Sequence, residues 1–451
     1  MSVPRIPRES AEQVMEGVFR RMGIEPGGDA MDRFITATEE NLESLPDRFR
    51  ALLAKSPSDE IVVELDIAVN LETGPRLASA LTAIRSLQGG SAIRFIGTRS
   101  ALRLAGVVMG EVYTGPERVQ VEIINSCNLG CQYCWNNAPH VEGRRNQDWR
   151  DAQFSFGDFR RVVEDAADLD AEGIILTGRG EPALHPSSVD MCRFVKERGL
   201  HLTVQVHAAS FKHADLLADA GIDRLLLNMP GVTPGAFERI HGKGSSDLFE
   251  RSMANLGRLG ELHRQGRIEV IPNMVITDEN AADLSAAVNL FAKEGFQEAF
   301  FRALVVTPEM ERTGLGYRRI KRTAQKAIEA ARKESEKLGV RYGFPSTSGS
   351  KAGLFGASRK GQPCGVGWYF GRVTVEREAH FCCSEKRVES LDSGGGLKAL
   401  WRSERWMKMR QAAFRQDAKS VRGFVDSDCA LCMHAEQKIQ ILSLLGATPG
   451  R

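Results

Sequence analysis

The sequence lacks a hydrophobic run of the length that a membrane-spanning helix needs. Its longest apolar runs, such as Ile174 to Leu176, fall far short of the roughly 18 residues required to cross a bilayer. The first ten residues carry two prolines and three charged side chains where a signal peptide needs an apolar core. We therefore expect a cytoplasmic protein with no membrane partner.

An excess of charge of either sign is also missing. Sixty Lys and Arg residues face 58 Asp and Glu residues, which leaves a formal net charge of +2. A nucleic-acid-binding domain usually carries a clear basic excess, so no nucleic acid partner is expected. Hydrophobic residues make up 42% and charged residues 26%, which is ordinary for a folded chain. A length of 451 residues predicts two or three domains.

The first 115 residues contain no cysteine, and no other motif that carries chemistry. Residues 8–55 have apolar side chains at helical spacing, and strand-like segments at 61–67 and 92–96 flank a predicted helix at 77–87. The pattern predicts a helical or α+β accessory domain over residues 1–115.

From Val119 onward, strand-like and helical segments alternate. The predicted strands are 119–125, 173–177, 202–206, 223–228, 268–276 and 298–305, and the predicted helices include 155–168, 187–198, 247–264 and 279–294. This alternation favours a parallel sheet, either open or curled into a partial barrel. In such sheets the functional residues gather where the strands end.

A helix rich in Lys and Arg at 318–337 is expected to present a solvated face. The Gly, Ser, Pro and Lys-rich stretch 344–363 then predicts a linker or exposed loop. Five of the nine cysteines lie beyond it, in residues 364–451.

Three cysteines follow the first predicted strand of the alternating region. Cys127, Cys131 and Cys134 are separated by three and two residues, a spacing that lets three thiolates converge on one [4Fe–4S] cluster and leaves one iron without a protein ligand. A zinc site would need a fourth ligand, and His140 is the nearby candidate. Zinc stays open as the alternative.

A glycine turn, Gly178-Arg179-Gly180-Glu181-Pro182, follows the second predicted strand. Its glycines let the backbone approach a ligand, and its carboxylate could hold an ammonium group. With the cysteine loop, it makes the chain resemble the radical S-adenosylmethionine (SAM) superfamily over residues 116–345. The resemblance implies an α/β partial (β/α)6 barrel in which the cluster binds SAM. One electron then generates a 5′-deoxyadenosyl radical that abstracts a substrate hydrogen, and flavodoxin or ferredoxin is the expected reductant.

The same resemblance assigns cofactor contacts. Tyr133 would pack near the adenine, and Gly180 and Glu181 of the turn that Pro182 closes would contact the methionine amine. Three residues at strand ends would contact the carboxylate and ribose of SAM, namely His207, Asn228 and Asn273. Each of them could equally bond to its own loop. The family more often has glycine at the position of Arg179, which leaves this arginine without a role.

A second group of thiols lies near the C-terminus. Cys364 and Cys382 are separated by 17 residues, and Cys429 and Cys432 by two, which predicts a closed four-thiolate cluster for electron transfer or structural support, with zinc as the alternative. Residues 346–451 resemble the auxiliary-cluster domain called twitch, a single-cluster relative of the SPASM domain. Cys383 is an alternative ligand or a hydrogen donor.

Two further residues are candidates for a role in the reaction. Arg302 on the sixth strand is expected to contact a polar substrate, because an unpaired arginine inside a barrel is costly. Cys192 lies on an amphipathic helix, where burial is the expected fate of a small thiol.

The twitch resemblance favours an oxidoreductase that dehydrogenates a sugar or aminocyclitol in aminoglycoside antibiotic biosynthesis, with epimerisation and radical dehydration as variants. The alternative is a maturase that modifies a ribosomally made peptide, whose N-terminal domain holds a leader by strand addition. The helical pattern of residues 8–55 weighs against the maturase.

A GTP cyclase fits less well because the chain ends Ala-Thr-Pro-Gly-Arg rather than in Gly-Gly. A non-enzymatic scaffold that carries the cluster is the third class.

Overall fold

The computed structural model describes three strands within the first 100 residues, a few single positions between 103 and 112, and most of the chain beyond. The later described ranges are 114–138, 146–211, 214–304, 317–344, 364–382 and 388–415. The chain divides into two compact units, one of residues 1–114 with 444–447 and one of the remaining residues. The three-domain division at 115 and 346 stays a prediction.

The first unit contains a parallel sheet of three strands, β1 (Phe34–Thr38), β2 (Ile61–Asp66) and β3 (Ile93–Gly97), in that order. The predicted strands at 61–67 and 92–96 are confirmed. The helical prediction for residues 8–55 is wrong at β1, where aromatic and β-branched residues favour extended backbone. The predicted helix at 77–87 lies outside the described residues.

The second unit is built on one ten-stranded sheet with the order β10-β9-β8-β7-β6-β5-β4-β11-β12-β13. Its first seven strands are β4 (Arg118–Glu122), β5 (Gly173–Thr177), β6 (His201–His207), β7 (Arg224–Asn228), β8 (Glu269–Ile276), β9 (Glu298–Ala303) and β10 (Arg341–Gly343). All of these pair in parallel with their neighbours. The predicted α/β partial barrel and its six strands are confirmed.

Helices connect these strands. Their bounds are α1 (Gln147–Asp151), α2 (Phe156–Asp168), α3 (Ser188–Glu197), α4 (Ala214–Asp219), α5 (Pro234–His241), α6 (Ser246–Arg264), α7 (Leu284–Lys293) and α8 (Tyr317–Leu338). The Ser155 hydroxyl accepts from the Asp158 N–H to begin α2, whose buried face carries Phe159, Val162 and Val163. In the described part of the chain, no helix is long and apolar enough to span a membrane.

The C-terminal region joins the same sheet. β11 (Phe370–Val373) pairs in parallel with β4, and β12 (Glu378–His380) and β13 (Val388–Ser390) continue the sheet antiparallel. The helices α9 (Leu391–Gly394), α10 (Leu397–Trp401) and α11 (Glu404–Arg415) follow. Arg377 turns the β11–β12 hairpin with a φ of 62° and pairs with Asp158 of α2. The hairpin is thereby fixed to the barrel.

Candidate active site

The loop after β4 carries three thiols against one apolar cluster. Cys131 is buried with Leu129 and with Ile240 of α5, and Cys127 and Cys134 pack against the same group while partly exposed. The Cys134 N–H donates to the Cys131 carbonyl at 3.0 Å, which tightens the loop. The cysteine loop is thus fixed by both the sheet and α5.

The thiols lie close enough to influence each other's ionisation. Burial, with smaller contributions from the neighbouring charges of Glu181 and Cys134, raises the pKa of Cys127 to about 12. Burial also raises the pKa of Cys131 well above its ordinary value, with Cys134 and Cys127 adding to the effect. Three thiolates in this position need a cationic partner, and an iron–sulfur core matches that requirement.

The glycine turn after β5 packs directly on the cysteine loop. The Gly180 N–H donates to the Ile124 carbonyl at 2.9 Å, and the Glu181 N–H donates to the Ser126 carbonyl at 2.8 Å. A Cβ at Gly180 would lie 1.9 Å from the Ser126 oxygen, and one at Gly178 would lie 2.6 Å from the Ile124 oxygen. The glycines therefore permit the close approach of one backbone segment to another, and the approach of a ligand to this turn stays a prediction.

Arg179 has a clear structural role, which the sequence did not reveal. Its Nε lies 3.1 Å from Glu122 at the end of β4, and its Nη1 lies 3.3 Å from Glu376 in the β11–β12 hairpin. Its carbonyl accepts the Asn137 side chain of the cysteine loop at 3.0 Å. Arg179 therefore links the turn, the cysteine loop and the C-terminal hairpin.

Glu181 is buried beside the cysteine loop. One carboxylate oxygen accepts the Ala183 N–H at 3.2 Å, at the start of the 3-10 turn that Pro182 opens, and the other accepts the His207 N–H at 3.0 Å. Burial raises the pKa of Glu181 to about 7. The carboxyl is positioned by two backbone donors, and its role as an amine ligand stays a prediction.

The three strand-end residues form one row across the sheet. His207 of β6 is in register with Asn228 of β7, and Asn228 is in register with Asn273 of β8. Asn273 accepts a hydrogen bond from Arg302 Nε at 2.8 Å, and Arg302 also lies over the Phe300 ring at 5.0 Å. Arg302 is exposed, so the argument from an arginine buried in the barrel interior does not apply to it.

The ring nitrogens of His207 both bond within the protein. Nδ1 accepts the Ala209 N–H at 3.0 Å, so Nε2 carries the proton and donates to His241 Nε2 at 3.2 Å. His241 in turn donates from Nδ1 to the Phe237 carbonyl at 3.2 Å. The histidines and Cys131 lie together, but a protonated Nε2 cannot ligate a metal, so this group is a hydrogen-bond chain. His207 thus bonds to its own loop through Nδ1, its contact with the cofactor stays a prediction, and no pattern in the sequence indicated His241.

Two buried polar atoms in the site lack a partner. The Tyr133 hydroxyl and Asn228 Oδ1 have no hydrogen bond within the described residues. Burial raises the pKa of Tyr133 well above its ordinary value, and the neighbouring Asn228 side chain acts to lower it. An adenosine-bearing cofactor offers donors and acceptors for both atoms, so the residues present fit SAM.

The remaining predicted residues are distributed as follows. Cys192 is buried on α3, and burial raises its pKa to about 12, which makes it an inert thiol. Cys364 and Cys382 are described, on the two segments that flank β11 and β12. Cys383, Cys429, Cys432 and His140 lie outside the described residues.

Comparison with known proteins identifies the barrel. Residues 121–291 match the model of the Radical SAM superfamily. The chain is 31% identical over 186 residues to a PqqA peptide cyclase of Ruegeria pomeroyi, covering 40% of this chain and 45% of the relative. It is 26% identical over 161 residues to an AdoMet-dependent heme synthase of Nitratidesulfovibrio vulgaris, covering 35% and 40%. The matches thus span less than half of either relative.

A solved structure shares the fold. SuiB of Streptococcus suis superposes with a TM-score of 0.53 at 13% identity, covering 90% of this chain and 84% of that one. At this identity the likeness concerns the fold alone. It agrees with the parallel sheet described above.

Proposed function

We propose that this chain, whose residues 121–291 form a radical SAM domain, is an enzyme that modifies a peptide by hydrogen-atom abstraction. The observation that carries the proposal is the docking of the Gly180–Glu181 turn on the three-thiol loop by two backbone hydrogen bonds. When bound there, a [4Fe–4S] cluster and SAM supply a 5′-deoxyadenosyl radical that removes a hydrogen atom from the substrate.

The chain's own residues hold and orient the cofactor in this proposal. Cys127, Cys131 and Cys134 ligate the cluster, and the buried cluster of Leu129 and Ile240 excludes water from its protein side. Tyr133 and Asn228 supply buried polar atoms that have no hydrogen-bond partner among the described residues, and these atoms would contact the adenosine.

The choice of a peptide substrate is supported by the relatives. Four of the relatives found are PqqA peptide cyclases, at 28% to 31% identity. The three-stranded sheet of the first unit has β1 and β3 at its edges, and an exposed strand edge is a template for strand addition by an extended peptide. The sugar or aminocyclitol substrate expected from the sequence has no comparable support here.

A second cluster belongs to the proposal. Cys364 and Cys382 would supply two of its ligands, and Cys429 and Cys432 the other two, to take up or pass on an electron during turnover. An external one-electron reductant such as flavodoxin or ferredoxin would recharge the first cluster.

Anaerobic reconstitution with SAM and dithionite tests the chemistry. The wild-type protein should bind about eight irons and release 5′-deoxyadenosine, and the triple change of Cys127, Cys131 and Cys134 to Ala should halve the iron and abolish that product. Cys192→Ala is the matched control and should retain both. A triple variant that still forms 5′-deoxyadenosine would overturn the proposal.

The substrate class is tested separately. Panels of synthetic precursor peptides and of aminocyclitols are added to the reconstituted protein, and stimulation of 5′-deoxyadenosine formation is measured with mass analysis of each panel member. A mass change in a peptide supports the proposal. A change in an aminocyclitol alone restores the expectation drawn from the sequence.

A further inference from the structure

Arg410 of α11 is a fully buried cation. Its Nε donates to the Gly367 carbonyl at 2.8 Å and its Nη1 to the Trp401 carbonyl at 2.7 Å, while the guanidinium lies 4.3 Å from the centre of the Trp401 ring. In the described part of the chain no carboxylate pairs with it. Burial lowers the pKa of Arg410 to about 9, so the side chain remains charged at neutral pH.

Two buried donors on this helix lack an acceptor within the described residues. Arg410 Nη2 and Trp406 Nε1 have no hydrogen-bond partner there, although both side chains are fully buried. The two residues are four positions apart on α11 and therefore share one face of the helix. Both groups can only donate, so both require an acceptor, and a buried donor without one is costly.

The chain segments that pack against α11 carry the two described cysteines of the C-terminal region. The Cys364 N–H donates to the Ala413 carbonyl of α11 at 3.2 Å. A Cβ at Gly367 would meet Phe381 at 2.6 Å and Arg410 Cγ at 3.1 Å, and Phe381 directly precedes Cys382. One helix therefore touches both chain segments that carry the thiols.

A purely structural role for Arg410 accounts for only part of this arrangement. The two carbonyls and the Trp401 ring explain the placement of Nε, Nη1 and the guanidinium plane. They leave Nη2 and Trp406 Nε1 unexplained. Two donors and one positive charge on a single buried face match an acceptor that is anionic and rich in lone pairs.

We infer that Arg410 and Trp406 donate these N–H groups to sulfur atoms of an auxiliary [4Fe–4S] cluster ligated by Cys364 and Cys382. The inference rests on the second cluster of the proposed function. A four-thiolate cluster is anionic and gains a further negative charge on reduction, so a nearby cation and hydrogen bonds to its sulfurs favour the reduced state. These residues raise the reduction potential of the cluster and make it an electron acceptor.

The test uses full-length protein in which Cys127, Cys131 and Cys134 are changed to Ala, so that only the auxiliary cluster is reduced. The midpoint potential is measured by titration followed with electron paramagnetic resonance. Trp406→Phe removes the indole N–H and keeps an aromatic ring in the core. Met409→Leu is the matched control, because Met409 is buried on the same helix and its side chain carries no N–H donor.

Trp406→Phe should shift the midpoint potential to a more negative value at unchanged iron content, and Met409→Leu should not. Arg410→Lys, which keeps the charge but lacks the Nη2 donor, should also shift it to a more negative value. A potential in Trp406→Phe equal to that of its parent would overturn the inference. If the triple cysteine variant binds no iron–sulfur cluster, the auxiliary cluster and this inference both fail. The radical SAM proposal is judged separately, because it stands as long as the wild-type protein releases 5′-deoxyadenosine.

Discussion

The guanidinium of Arg179 lies 3.3 Å from the carboxylate of Glu376, a residue 197 positions later in the chain. The same guanidinium lies 3.1 Å from the buried Glu122. Glu376 also accepts the Asn125 side chain at 3.3 Å, next to the start of the cysteine loop. Arg179 thus connects the glycine turn to the C-terminal hairpin.

Arg179→Met should lower the free energy of unfolding by about 3 kcal/mol, because it leaves the carboxylate of Glu122 buried without its nearest cation. Urea denaturation of the apoprotein measures the change. A double-mutant cycle with Glu376→Gln should give a coupling energy of about 1 kcal/mol. Arg161→Ala removes an exposed pair with Asp158 and should change stability little. A coupling energy of zero would show that the Arg179–Glu376 contact does not stabilise the attachment of the hairpin to the turn.

Gly180→Ala should prevent normal docking of the turn, since its Cβ would overlap the Ser126 carbonyl at 1.9 Å. We expect a loss of about 3 kcal/mol and a reduced iron content after reconstitution. Gly130→Ala is the matched control, because no atom lies within 4 Å of the Cβ it would add. Equal iron content in the two variants would contradict this account of the turn.

Tyr133→Phe should weaken SAM binding about fivefold, since the buried hydroxyl meets hydrogen-bond geometry with no described residue, although Asn228 neighbours it, and would give up one cofactor contact. Equilibrium binding to the reconstituted protein measures the effect. Tyr342→Phe provides the comparison, because its hydroxyl donates to the Phe296 carbonyl and lies outside the site. Unchanged affinity in Tyr133→Phe would remove the hydroxyl from the cofactor contacts.

His185 should make the protein sensitive to acid. Its Nδ1 accepts the Ser187 N–H and its Nε2 donates to the Phe154 carbonyl, so the ring is neutral, and burial lowers its pKa. The histidine binds a proton more readily in the unfolded state than in the folded state. The stabilisation by the neutral His185 ring is therefore complete above the ordinary pKa of 6.5 and is lost as the pH falls below that value. The stability difference between wild type and His185→Gln should shrink from pH 7.5 to about pH 5. A constant difference over that range would contradict the assignment.

Local patterns in the sequence were enough to predict the barrel, and distant contacts were not. The six strands and the order of the two motifs follow from apolar runs and cysteine spacing, which are properties of short segments. The pairing of β4 with β11 and the role of Arg179 depend on residues about 200 or more positions away, which no local pattern encodes. His241 was missed because a histidine at a helix end has no signature until the fold brings it to His207. β1 was misassigned because apolar residues at helical spacing on both sides concealed a short strand.

The parallel pairing of β4 with β11 also constrains how the chain folds during its synthesis. β4 is flanked by β5 early, but its other edge has no partner until the ribosome has released residues 370–373. The chain between Asn125 and Glu376 is 251 residues long, which corresponds to some 10 to 50 s at typical rates of elongation. Through that interval the strand that leads into the cysteine loop presents an open edge, where mispairing and aggregation begin. Low temperature or added chaperones should therefore increase the yield of folded protein during synthesis. The same conditions should increase the yield less when the full-length chain is refolded.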